Sequence, residues 1–302
     1  YYILYAVMIV YVFFSNHIKG NEQKKRKRIT IICFGSVILL LALRHPSMGY
    51  DLRWGTSSGY LGWYPEIAHA RLNQLSAYSE TTFFTIGYVL LNKTLGLISD
   101  NEQFLIAAIA FLSVAPVAYL VNKKSDNIFL SCLVYLGLPS FLMLFSSYMQ
   151  IIAMGICSIA LLYLFDKKWI KFLIAIAIAT LFHKSALAFL LVYPAYKLRL
   201  AYKKKLFIIG AITIVYLFRK QLFPLLTQLI HIQVQADSES NSLTFWMFLF
   251  IYIACSIMQR LFVQTDDEEE NRAINGMMNI FAIGVVCMAF HDVFSLAARL
   301  NR

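Results

Sequence analysis

The chain has 302 residues, 60% of them from the AVILMFWYC set, 15% aromatic and only 14% charged, where soluble domains carry about 25% charged residues. A mean hydropathy of +0.65 makes lipid the solvent and excludes a secreted enzyme, a disulfide scaffold and a cytosolic binding module. The 27 Lys+Arg against 16 Asp+Glu, a formal charge of +11, read as cytoplasmic loops beside anionic lipid, with no nucleic-acid partner.

A crossing of the roughly 30 Å hydrocarbon core takes about 20 apolar residues, so there is room for about nine or ten hydrophobic helices. The runs are continuous rather than alternating, which excludes a β-barrel. The expected fold is an all-α polytopic membrane protein, a single integral domain over 1–302. The first run, Tyr1–Phe14, opens the chain, and Arg302 closely follows the last, so both ends are expected to be truncated.

His17–Arg28 carries Lys19, Lys24, Lys25, Arg26, Lys27 and Arg28, the densest basic cluster, and is assigned to the cytoplasm. Ile29–Leu43 then runs to the outer face. Residues 44–80, rich in glycine, proline and tyrosine, read as an ordered external loop region with a short interfacial helix. Apolar runs follow at Phe83–Ile98, Phe104–Val121, Ile128–Phe145, Ile151–Phe165, Phe172–Tyr193, Leu206–Leu217, Leu243–Val263 and Ala273–Leu296.

The lysines constrain the path further. Lys123 and Lys124, then Lys167, Lys168 and Lys171, then Lys197 through Lys205, all favour the cytoplasm. That parity requires Phe83–Ile98 to lie in the outer face or re-enter from it. It also requires Phe172–Tyr193 to be bent, turning at Phe182-His183-Lys184-Ser185. Arg44, Asp51, His183 and Arg299 then share the outer face.

Arg44-His45-Pro46-Ser47-Met48-Gly49-Tyr50-Asp51, followed by Tyr60, has two readings. Arg44 is a helix-end anchor reaching the headgroups with Asp51 as its counter-ion, or the group is a small anion and sugar site. The second uses the bidentate grip of guanidinium on phosphate. His183 is either a core histidine or, as an ionisable group within a span, part of a functional path. Its neutral imidazole can accept a proton near neutral pH. Lys184 adds a second charge beside it, and Arg299 gains interest from sharing Arg44's side.

The five cysteines (Cys33, Cys132, Cys157, Cys255, Cys287) sit singly in apolar runs without CxxC spacing and read as small buried hydrophobes. No HExxH, paired cysteine or acidic cluster at metal spacing appears, so no metal or other cofactor is expected.

Several blocks recur in a known order: Arg44 to Gly49 and Asp51 to Tyr60; Gly87-Tyr88 with Leu91-Asn92-Lys93; Gln150 opening Ile151-Ile152-Ala153-Met154-Gly155; Ala179 to Leu187 around His183, then Tyr193 and a basic loop; and Arg299. In these the chain resembles the Wzy-type polysaccharide polymerases of the EpsG-like branch, which extend capsule, O-antigen or exopolysaccharide chains. It departs at Thr85, where relatives often carry glutamate, and at Met149, where they often carry arginine; Glu80, and Lys184 or Arg219, are the candidate stand-ins.

The resemblance implies a GT-C-like membrane fold and metal-independent, inverting glycosyl transfer at the outer face of a bacterial cytoplasmic membrane. The donor is the glycan on undecaprenyl pyrophosphate, and the acceptor is the non-reducing end of another lipid-linked unit. Arg44 and Arg299 are expected to hold pyrophosphate. His183 or Asp51 is the base, Asp51 and Tyr60 position sugar, and Gln150 and Lys184 bind substrate. A flippase and a chain-length regulator are the expected protein partners. Two other classes stay open: a membrane O-acyltransferase decorating extracellular polysaccharide, and a lipid-oligosaccharide transporter or flippase.

Overall fold

The computed structural model describes residues 21–53, 55–138, 140–198, 202–222, 225, 243–262 and 268–289. The chain divides into two compact units, Tyr1–Phe189 and Leu190–Arg302. Among the described residues every regular element is helical. Among the described residues four helices are long and apolar enough to cross a membrane, at Glu102–Lys124, Tyr148–Phe165, Phe245–Phe262 and Glu268–Ala289. The chain is thus an all-α, multi-pass membrane protein.

In the first unit, α1 (Glu22–Ala42) starts at Asn21, whose side chain accepts from the Gln23 amide, and carries Glu22 in its first turn. Both features satisfy the partial positive charge of a helix start. Helix α2 (Gly59–His69) and the short α3 (Leu75–Thr81) occupy the expected external loop region. Helix α4 (Ile86–Gly96) has 11 residues. At 1.5 Å per residue it reaches about 16 Å, half a hydrocarbon core, so the run Phe83–Ile98 does not cross as one helix.

Helix α5 (Glu102–Lys124) is capped by Asn101 and ends on Lys123 and Lys124, cations at the negative end of the helix dipole. The next run is interrupted. Helix α6 (Ile128–Gly137) ends with Leu138 extended, at φ −75° and ψ 141°, the conformation a following proline imposes. One turn, Ser140–Met143, leads to α7 (Tyr148–Phe165) and then α8 (Trp169–Phe182). The long run Phe172–Tyr193 breaks where the lysine pattern places its turn. His183 is extended, at φ −153° and ψ 116°, and a 3-10 segment, Lys184–Leu191, follows.

Long-range hydrogen bonds fix the helix directions in this unit. The Arg26 guanidinium donates to the carbonyls of Asn122 and Ser125, both at 2.7 Å, covering the end of α5. Lys124 pairs with Asp166 at 2.9 Å, and Lys168 with the same carboxylate at 3.4 Å. The start of α1, the ends of α5 and α7 and the start of α8 therefore share one basic end. At the opposite end Gln103, on the first turn of α5, donates to the carbonyls of Ala42 and Arg44. These contacts give the unit two chemically different ends.

In the second unit, α9 (Val192–Lys197) lies against α12 (Glu268–Ala289), where Asn279 donates to the Ala195 carbonyl, while α10 (Tyr202–Leu217), α11 (Leu243–Phe262) and α12 pack around Ile212, Tyr216, Phe245, Leu249, Tyr252 and Val285. Tyr216 stacks on Phe245 with centroids 3.8 Å apart. Lys205 is buried and donates to Gln259 Oε1 at 2.6 Å and Asn275 Oδ1 at 2.7 Å, which ties the start of α10 to α11 and α12.

Candidate active site

Among the candidate residues of the first unit, Arg44 stands at the end opposite the one held by Arg26, Lys124 and Lys168. Arg44 follows the last turn of α1 and is only 6% exposed. Its Nη2 donates to Tyr148 Oη at 2.9 Å and its Nη1 to the Leu144 carbonyl at 3.2 Å. The guanidinium carbon lies 5.0 Å from the Phe145 ring centroid and 5.8 Å from that of Tyr148. Among the described residues, its buried Nε has no hydrogen-bond partner. Among the described residues no carboxylate pairs with this group.

This arrangement departs from an anchor with a counter-ion. A buried cation loses hydration worth several kcal/mol even after relaxation, and cation–π contact returns about 0.5–2 kcal/mol. Two neutral acceptors and two rings leave the charge uncompensated. Asp51, the counter-ion of the anchor reading, is half-buried in a 3-10 turn, Tyr50–Leu52. That turn is drawn onto the site by Gly49, at φ 142°, where a Cβ would stand 1.9 Å from the Phe145 carbonyl oxygen. Only glycine permits both the backbone and the approach.

Tyr60, expected to offer its face to sugar, is 3% exposed and lies inside a ring cluster. Its centroid is 4.9 Å from Tyr148, 5.2 Å from Tyr88 and 5.5 Å from both Phe83 and Phe84. It forms the wall behind Tyr148, and so behind Arg44.

The neighbourhood of His183 joins this wall through Thr85. Thr85 Oγ1 donates to the carbonyl of Phe182 at 2.9 Å, satisfying one of the orphan acceptors at the end of α8. The same hydroxyl and the Thr85 amide both lie 3.4 Å from Met149 Sδ. Gly87 allows the approach, since a Cβ there would meet the Leu181 carbonyl oxygen at 2.6 Å. His183 is half-buried one residue beyond Phe182, Gln150 is half-buried one residue beyond Met149, and Lys184 is exposed. The two positions that depart from the resemblance, Thr85 and Met149, touch each other. Glu80 is exposed at the end of α3. Arg299, with Arg302, lies outside the described residues.

Two supports of the site escape a reading of residue types. In sequence Tyr148 is only a polar-tipped ring between two apolar runs. Gln103 gives no signal either, because beside Asn101 it looks like an ordinary first-turn residue.

The EpsG family pattern matches residues 27–302, nearly the whole chain. The chain belongs to the EpsG family. Membership places this protein among exopolysaccharide-associated membrane proteins of polymerase type. Searches of curated proteins and of solved structures return no match. Within the EpsG pattern fall Arg44, Asp51, Tyr60, Gln150 and His183, so these candidate residues of the first unit come from family sequence.

Proposed function

We propose that this EpsG-family protein polymerises lipid-linked oligosaccharide repeat units at the outer face of a bacterial cytoplasmic membrane. The glycan leaves undecaprenyl pyrophosphate and joins the non-reducing end of a second lipid-linked unit. In one inverting displacement the anomeric carbon–phosphate oxygen bond breaks and the bond to the acceptor oxygen forms. The diphosphate keeps the electron pair, and the acceptor proton passes to a base. Arg44 receives the developing negative charge, with Arg299 as its expected second cation. His183 or Asp51 takes the proton, Gln150 and Lys184 position substrate, and Tyr60, whose faces are covered by other rings, backs Tyr148. The reaction needs no metal in this scheme, and a flippase and a chain-length regulator are its expected partners.

One observation carries the reading: a buried guanidinium is held by a hydroxyl, a carbonyl and two rings, with no carboxylate to neutralise it among the described residues. Fixed donors aimed at a charge that develops in the transition state give rate factors of about 10²–10³ each, and the planar fork suits phosphate oxygens.

The test is complementation of cells lacking the protein, read as a glycan-length ladder. Arg44→Ala and Arg44→Lys, inserted at wild-type level, are expected to leave single repeat units. Full-length polymer from Arg44→Ala overturns the assignment. Near-normal chain length from His183→Ala reduces that histidine to packing. A labelled acetyl donor separates the acyltransferase class, since a polymerase ignores it.

A further inference from the structure

Behind the ring wall lies a polar pair that the scheme above does not use. Tyr88 and Asn92 stand one turn apart on one face of α4, and both are 0% exposed. The Asn92 carboxamide approaches the Tyr88 hydroxyl without reaching ordinary hydrogen-bond geometry, and among the described residues that hydroxyl and both ends of the carboxamide are buried without another partner. Tyr88 is edge-on to Tyr60 at 5.2 Å and 5.0 Å from Phe84. Tyr60 in turn leans on Tyr148, which holds Arg44. Two rings, Tyr60 and Tyr148, thus stand between the pair and the guanidinium. Apolar residues of the same shape would fill the space without leaving polar atoms unmatched.

The chemistry of the unmatched atoms selects a ligand class. A carboxamide with both ends open presents an acceptor and two donors, and a phenol presents one of each. Phosphate oxygens only accept, ammonium-type cations only donate and metal ions take only lone pairs, so none of them can match the set. A hydroxyl does both.

Resting on the glycan-polymerising reading, we infer that Asn92 and Tyr88 form a hydroxyl-binding subsite beneath the Arg44 wall. The hydroxyl comes from a sugar of the lipid-linked unit or from an internal water that braces the wall. A sugar would enter between the aromatic side chains as the wall opens. A water would link α4 to Tyr148 permanently.

The test uses the full-length purified protein with lipid-linked repeat units taken from its source strain lacking the polymerase. Asn92→Leu and Tyr88→Phe remove the polar atoms and keep the bulk. Turnover is expected to fall at least 10-fold in each, while the melting temperature holds or rises. Wild-type turnover in both variants overturns the inference, and so does turnover that falls only with lost folding. If Asn92→Leu does not fold, Tyr88→Phe decides alone. The source of the hydroxyl is read with the delipidated repeat-unit oligosaccharide as probe. A thermal shift present in the wild type and lost in the variants assigns a sugar, and a shift kept while turnover is lost assigns water. Arg44→Met and the wild type, run beside them, separate the two claims: normal turnover in Arg44→Met removes the role given to Arg44, and absence of turnover in the wild type removes the polymerase assignment, while the oligosaccharide shift still reports on Asn92 and Tyr88.

Discussion

Replacing Tyr148 by phenylalanine deletes one oxygen and leaves a ring that is 1% exposed in place. Packing against Tyr60 at 4.9 Å and the Arg44 cation–π contact at 5.8 Å survive. What is lost is the 2.9 Å bond from Arg44 Nη2, a hydrogen bond to a charged group worth about 1.5–3 kcal/mol. The nitrogen left behind joins Nε, already without a partner, so the guanidinium keeps one strong hold, the Leu144 carbonyl. At 1.36 kcal/mol per decade that loss lowers the population of the held conformer roughly 10- to 150-fold. If Arg44 acts on the departing diphosphate, kcat for lipid-linked units falls within that range while the acceptor KM changes little. The assay is steady-state turnover of wild type, Tyr148→Phe, Arg44→Lys and the double variant. Because the hydroxyl acts through Arg44, the double variant should be no worse than Arg44→Lys alone. Fully additive losses, or a Tyr148→Phe enzyme with wild-type kcat, refute the reasoning.

Thr85 and Met149 face each other, so charge introduced at one needs charge at the other. Thr85→Glu and Met149→Arg should each shorten the glycan ladder, and the double variant should recover it, because one buried ion pair replaces two orphan charges. Gly49→Ala places a Cβ against the Phe145 carbonyl at a φ of 142°, which should lower both the melting temperature and polymer length. Asp166 sits at the basic end. Hydrogen bonding to Lys124 is the chief reason its carboxyl titrates below the usual 3.8, with Lys168 adding to it and partial burial opposing it. A folded pKa depressed in this way stabilises the fold above the unfolded value and is lost as pH falls through the folded one. Asp166→Asn should therefore flatten the melting curve on the acid side of about pH 4, and leave turnover at neutral pH unchanged.

Much of this site is legible in residues alone. Arg44, Asp51 and His183 stand out by their types and by lysine placement, Gln150 only through the family resemblance, and the break at His183 falls inside the expected tetrapeptide. Charge in loops is a local property that acts through the membrane's own asymmetry, so it survives reading in one dimension. Tyr60 resists such reading. An aromatic residue near glycine looks the same whether its face meets a sugar or four other rings. The pairing of Thr85 with Met149 is equally hidden, since nothing local links α4 to α7.

Composition and run length alone determined the solvent, the helical class and which end of each long helix carries the lysines, because hydrophobic burial and loop charge act residue by residue along the chain. The tertiary structure decided which groups meet. Arg44 finds Tyr148 across 104 positions of sequence, Gln103 braces the carbonyl of Arg44, and Tyr88 and Asn92 are buried with their polar atoms unmatched. Such contacts depend on how the helices pack in three dimensions, and no local pattern of residues encodes that.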